Sequence, residues 1–179
     1  MKRAVRALVS CVLAVLVLVV AGLPVYVRPP VDRLRHADAI LILGGPNYYR
    51  YPYGFKLGAD GWAPNVVVSN PNGKDDPWLS QFCATKQTEF TLYCFTPNPL
   101  TTKGEGREIR RLASEYGWET IIVVTIRPHL WRAKYILENC FRADYVMTPI
   151  PEPLSPQVWA FQYVYQTAGW VRAALQPDC

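Results

Sequence analysis

Two histidines are the only side chains in this chain whose ordinary pKa lies near neutrality, and one of them stands where a proton acceptor would be useful. His129 falls in Thr125-Ile-Arg-Pro-His-Leu-Trp-Arg132, directly after the apolar run Thr120 to Thr125, so it reads as the first turn of a helix leaving a strand. The partial positive charge of a helix start favours the neutral ring, which can take up a proton. Arg132, three positions on, shares that face and offers a forked donor to an anion. The plain alternative is a histidine satisfied by a backbone carbonyl beside a solvated arginine. His36, in a polar approach to an earlier strand, reads as structural.

Two more loops carry groups that suit an anion. Gly44-Gly45-Pro46-Asn47-Tyr48-Tyr49-Arg50 follows a strand; its glycines allow close backbone approach, and Arg50 supplies a second guanidinium. A tight turn explains the glycines equally well, since no G-x-G-x-x-G is present. The stretch Thr101-Thr102-Lys-Gly-Glu105-Gly-Arg107 opens a helix. Thr102 and Glu105 have capping-box spacing, which needs no function. The functional reading gives the free N–H groups of that helix start to a phosphate or carboxylate, with Glu105 as a general base. No metal site is expected: zinc spacings are absent, and only Asp75 and Asp76 keep a weak magnesium site open.

These loops sit at the ends of apolar runs that read as strands: Asp38 to Leu43, Asn65 to Ser69, Thr91 to Phe95, Thr120 to Thr125 and Ala143 to Met147. Helical periodicity runs from Thr102 to Tyr116, with Ile109, Leu112, Ala113 and Tyr116 on one face and Gly117 as the stop. A second helix starts at Pro128 and buries Leu130, Ala133, Leu137 and Cys140 or Phe141. A short one begins at Asp76-Pro77, and a last helix covers about Ser155 to Ala174. Strands alternating with helices predict an α/β, doubly wound three-layer sandwich on a mostly parallel five-stranded sheet. Ligands of such sheets bind beyond the carboxyl ends of the strands, where the loops above lie. The last helix carries Trp159, Phe161, Tyr163, Tyr165 and Trp170, more aromatics than one buried face holds; core packing, the bilayer, a partner and a covering loop all remain open for them.

Residues 7–27 carry no charge, and that stretch is long enough to span the roughly 30 Å hydrocarbon layer. Lys2, Arg3 and Arg6 precede it, which by the positive-inside rule puts residues 1–6 in the cytoplasm and sends residue 28 onward outside. The expected organisation is a cytoplasmic tail 1–6, a transmembrane anchor 7–27, a stiff linker 28–36 and an exported domain 37–179, in the cell membrane as a single pass. A cleaved signal peptide is the rival, though no A-x-A site follows. Setting the three flanking cations aside leaves 16 Lys and Arg against 14 Asp and Glu, a balance that does not suit a nucleic-acid binder. Beyond Cys11 in the anchor, Cys83, Cys94, Cys140 and Cys179 form an even set in an oxidising compartment. Three pairings exist; Cys83 with Cys94 would close a local loop, and Cys140 with Cys179 would tie down the tail.

Four segments together, Ala37-Asp-Ala-Ile-Leu-Ile-Leu-Gly-Gly45, Gly61-Trp-Ala-Pro-Asn-Val-Val-Val-Ser69, Thr101-Thr-Lys-Gly-Glu-Gly-Arg107 and Val123-Val-Thr-Ile-Arg-Pro-His129 with Arg132-Ala133, resemble the SanA/ElyC/YdcF family, a domain of unknown function in bacterial envelopes. The similarity covers roughly Arg35 to Ala143. It implies a Rossmann-like fold behind one membrane helix and a role in envelope integrity or cell-wall biogenesis. It also implies a polar cleft at Gly44, Gly45, Arg50, Ser69, Thr102, Glu105, Thr125, His129 and Arg132. The chain departs from the family at Asn70-Pro71 and at Ile126, where small or hydroxyl residues are usual.

The expectation is a membrane-anchored protein that binds a phosphate-bearing or lipid-linked precursor or a nucleotide-like ligand, with processing by hydrolysis or group transfer left open. His129 and Glu105 would act as catalytic groups and Gly44, Gly45, Asn47, Arg50, Ser69, Thr102, Thr125 and Arg132 as binding groups; the cofactor is unassigned. The alternative is a non-catalytic envelope scaffold or regulator acting through protein partners. A dinucleotide oxidoreductase fits poorly, because the glycine fingerprint and the following acid are missing.

Overall fold

The computed structural model describes residues 2–46, 48–151 and 153–179. It is an α/β fold whose five strands are all parallel: β1 (Ala39–Ile42), β2 (Asn65–Ser69), β3 (Thr91–Phe95), β4 (Thr120–Thr125) and β5 (Asp144–Pro149), in the order β3-β2-β1-β4-β5. The three middle strands are apolar on both faces because helices cover both. On one face Leu41, Val67, Ile121 and Val123 pack under α4 (Thr102–Tyr116) and α5 (Leu130–Cys140). On the other, Ile40, Ile42, Val66 and Val124 pack under α2 (Arg50–Ala59) and α3 (Pro77–Ala84). The result is a Rossmann-like three-layer sandwich whose chain reverses direction between β1 and β4.

The helix α2 is the element that periodicity does not announce, because two glycines and a proline sit inside it. Pro52 is tolerated in a first turn, where the backbone N–H has no helical partner. Gly54 and Gly58 present a bare stripe to the sheet. A Cβ on Gly54 would stand 2.3 Å from Ile42 Cδ1, and one on Gly58 2.7 Å from Val66 Cγ2, so the glycines set how close the helix lies. Elsewhere, α4 ends at Gly117, which adopts φ 72° as the left-handed cap. Tyr116, expected on the buried stripe of α4, is instead half exposed and stacks on Trp118 at 5.4 Å.

The N-terminal helix α1 (Lys2–Gly22) continues through a wider turn, Leu23–Val27, and is long and apolar enough to cross a membrane. The segment after it is pinned along the sheet edge. Asp32 Oδ2 accepts from Met147 N at 2.9 Å, and Arg35 pairs with Asp144 at 2.5 Å. Two disulfides, Cys83–Cys94 and Cys140–Cys179, tie α3 to β3 and the C-terminus to α5. The last helix, α6 (Pro156–Leu175), starts at Ser155, whose hydroxyl accepts from Val158 N at 3.3 Å. It buries Gln162, Gln166 and Ala173 and leaves Phe161 and Tyr165 exposed, the reverse of core packing for those two aromatics.

Candidate functional site

A cavity of about 1240 Å³ opens beyond the carboxyl ends of β1 and β4, at the chain reversal where ligands of open α/β sheets bind. Its polar lining comes from the loop after β1 (Gly44, Gly45, Arg50), the start of α4 (Thr102, Glu105) and the turn before α5 (His129), with Arg132 on α5 itself. Seven of the residues singled out in the sequence therefore share one space. Ser69 and Thr125 are fully buried behind it as supports. Asn47 lies outside the described residues.

Glu105 organises the floor. Its helix begins at Thr102 with Thr101 as the cap residue, and no side chain caps it. The expected capping box is therefore absent: Glu105 Oε1 reaches away from its own helix to accept the amide of Gly44 at 2.6 Å. Burial pushes the Glu105 carboxyl above the usual carboxylate range, while donors at Ser69, Gly44 and Thr102 and the charge of Arg50 oppose that push. The Ser69 hydroxyl favours the ionised form from nearby, yet it has no partner at full hydrogen-bond geometry among the described residues. A Cβ on Gly44 would meet Pro71 Cγ at 2.4 Å, so Pro71 packs against this loop and keeps residue 44 a glycine.

Arg50 is buried, and its Nη1 donates to the carbonyls of Leu43 at 2.9 Å and Gly44 at 2.7 Å. It thus holds the β1 loop as well as carrying positive charge to the cavity wall. Gly45 beside it takes φ 148°, and a Cβ there would stand 3.0 Å from the guanidinium.

His129 closes the turn Arg127–His129 and is buried. Its Nδ1 shares a hydrogen with Thr125 Oγ1 at 3.0 Å, and its Nε2 lies 3.5 Å from Thr102 Oγ1. Burial first, then the charges of Arg132 and Arg50, hold the imidazole well below its usual pKa. All three causes favour the neutral ring, with burial the largest. Thr102 stands between Glu105 and His129, so carboxyl, hydroxyl and imidazole form a line along the floor.

Arg132 is bracketed by α6. Its Nε donates to Gln166 Oε1 at 2.8 Å, Gln166 Nε2 donates on to Gln162 Oε1 at 2.8 Å, and the guanidinium lies 5.7 Å from the centre of the Tyr165 ring. A Cβ on Gly169 would come within 2.9 Å of Arg132 Nε, so residue 169 must be small for this fit. Sequence reasoning did not place Gln162, Gln166 and Gly169 in the site. Their only signal was polar and small residues at helical spacing inside an otherwise aromatic segment.

Chemically, the floor combines a buried carboxyl, a neutral imidazole and two guanidinium groups in a space large enough for a ligand. Among the described residues no group of three or more His, Cys, Asp or Glu is placed to hold a metal. Asp76 caps α3 by accepting from Leu79 N at 3.0 Å and also accepts from the Tyr48 hydroxyl. Compared with known proteins, the chain matches no family model, no curated protein and no solved structure.

Proposed function

We propose that this chain is a membrane-anchored envelope protein of the SanA/ElyC/YdcF type that binds and processes a phosphate-bearing ligand in the cavity beyond β1 and β4. The observation that carries the reading is the convergence of Arg50, Arg132 and neutral His129 around the buried Glu105. Two guanidinium groups attract an anion into a low-dielectric space, where each hydrogen bond to a charged oxygen is worth about 1.5–3 kcal/mol. Arg132 meets the anion, Arg50 adds charge while fixing the loop, and the uncapped start of α4 contributes N–H donors. His129, or Glu105 through Thr102, takes the proton in a hydrolysis or group transfer.

The anchor reading rests on α1, with Lys2, Arg3 and Arg6 on the cytoplasmic side and the domain outside, where the two disulfides persist. Thermal unfolding of the full chain in nanodiscs, with inorganic phosphate, nucleotides, nucleotide-sugars and prenyl phosphates, tests the proposal. A ligand at about a hundred times its dissociation constant adds near 2.7 kcal/mol. The expected shift disappears in the His129→Ala, Arg132→Ala double variant. No shift with any of these ligands refutes the reading in favour of a non-catalytic scaffold.

A further inference from the structure

The helix α6 is twenty residues long and carries one charged side chain, Arg172, and no acid. At 100° per residue, Val158, Phe161, Val164, Tyr165, Ala168, Val171 and Leu175 fall with Arg172 on one arc of about 140°. All of them are exposed: Phe161 by 61%, Val164 by 73%, Val171 by 56% and Leu175 by 77%. The inward arc holds Gln162 and Gln166 on the cavity wall. The polarity of the helix is thus inverted relative to a soluble surface helix, with amides inside and aliphatic and aromatic groups outside.

What covers that arc is indicated by the neighbour of α6. The end of the apolar helix α1 docks directly on it: Tyr163 Oη donates to Val19 O at 3.2 Å, and Tyr26 Oη is hydrogen-bonded to Thr167 Oγ1 at 2.9 Å. The rings of Tyr26 and Tyr163 meet at 5.1 Å, and a Cβ on Gly22 would strike Tyr163 Cε1 at 2.4 Å. A helix that touches the last turns of a membrane span lies at the level where the span leaves the bilayer. Aromatic side chains with polar tips and a lone arginine are the composition that suits this layer.

We infer that α6 is an interfacial helix, its arc from Val158 to Leu175 embedded at the headgroup and acyl boundary of the bilayer that α1 crosses. This rests on reading α1 as a membrane span and not on the identity of the ligand. Because Phe161, Tyr165 and Arg172 belong both to this arc and to the cavity lining, the cavity mouth borders lipid, and an amphiphilic ligand can enter sideways from the membrane.

The test uses the full chain, with Cys11→Ser, in nanodiscs of phosphatidylethanolamine and phosphatidylglycerol, spin-labelled singly at Val164→Cys, Val171→Cys, Val12→Cys and Arg110→Cys. Retention of both disulfides by mass analysis verifies each labelled protein, and two α6 positions keep the readout if one label disturbs the helix. Collisions with dissolved oxygen are expected to outweigh those with a water-soluble nickel chelate at Val12, Val164 and Val171, and the reverse at Arg110 on α4. Water exposure at Val164 and Val171 with lipid exposure at Val12 overturns the inference and leaves the anchor standing, making a protein partner the occupant of that face. Water exposure at all three overturns both.

Discussion

Acidification should destabilise the fold through one residue. His129 is buried and neutral, its pKa held well below the usual 6.5, whereas in the unfolded chain it titrates normally. Between these two values the unfolded state holds a proton that the folded state lacks, so stability rises with pH across that window. The contribution is fully present above 6.5 and is lost as pH falls toward the folded value. Within that window a single group loses about 1.4 kcal/mol of unfolding free energy for each pH unit. The assay is urea unfolding of the nanodisc-bound chain, followed by tryptophan fluorescence, for the wild type and His129→Gln. The variant keeps an amide to meet Thr125 but cannot titrate, so the difference between the two proteins isolates the imidazole. Parallel loss of stability in both would refute a buried neutral histidine.

Glu105 works in the opposite sense. Its carboxyl is pushed up from the usual 4.5, so its share of stability is full below that value and is lost as pH rises through the folded pKa; Glu105→Gln should flatten that limb in the same unfolding series. Removing Cys140–Cys179, which closes 39 residues, should cost about 4 kcal/mol, against about 3 for Cys83–Cys94 with 11, as read from denaturation midpoints of the paired Cys→Ala variants. Gly54→Ala forces a methyl into Ile42 and should cost about 1–3 kcal/mol by the same measurement.

Much of the fold was legible because the three middle strands are buried on both faces and so read as uninterrupted apolar runs; β2 and β4 begin and end where the pattern does, as does the half-exposed edge strand β3. The helix α2 was hidden because its packing requires glycine, the residue that intrinsic propensity counts against. β5 runs two residues past its apolar run, to Pro149, since pairing with β4 continues through Thr125. In the site, His129 and Arg132 could be found from their position after a strand, but the partner of Glu105 could not. Capping-box spacing describes a local contact, and the observed bond crosses 61 positions to Gly44. The inverted burial of α6 was likewise out of reach, because a sequence lists aromatics without saying which arc faces the domain. The dock between Tyr163 and the end of α1, together with the bond from Arg132 to Gln166, orients it.

The proposed role of Arg132 is to receive an anion in the cavity beyond β1 and β4. Isothermal titration of the nanodisc-bound chain with a short-chain prenyl phosphate, and with the corresponding neutral alcohol, measures it directly in the wild type and in Arg132→Gln. Binding of the phosphate but not the alcohol is expected, with at least a tenfold weaker affinity in the variant, since a lost charged hydrogen bond is worth about 1.5–3 kcal/mol. Equal affinity for phosphate in both proteins, or equal binding of phosphate and alcohol, would contradict it.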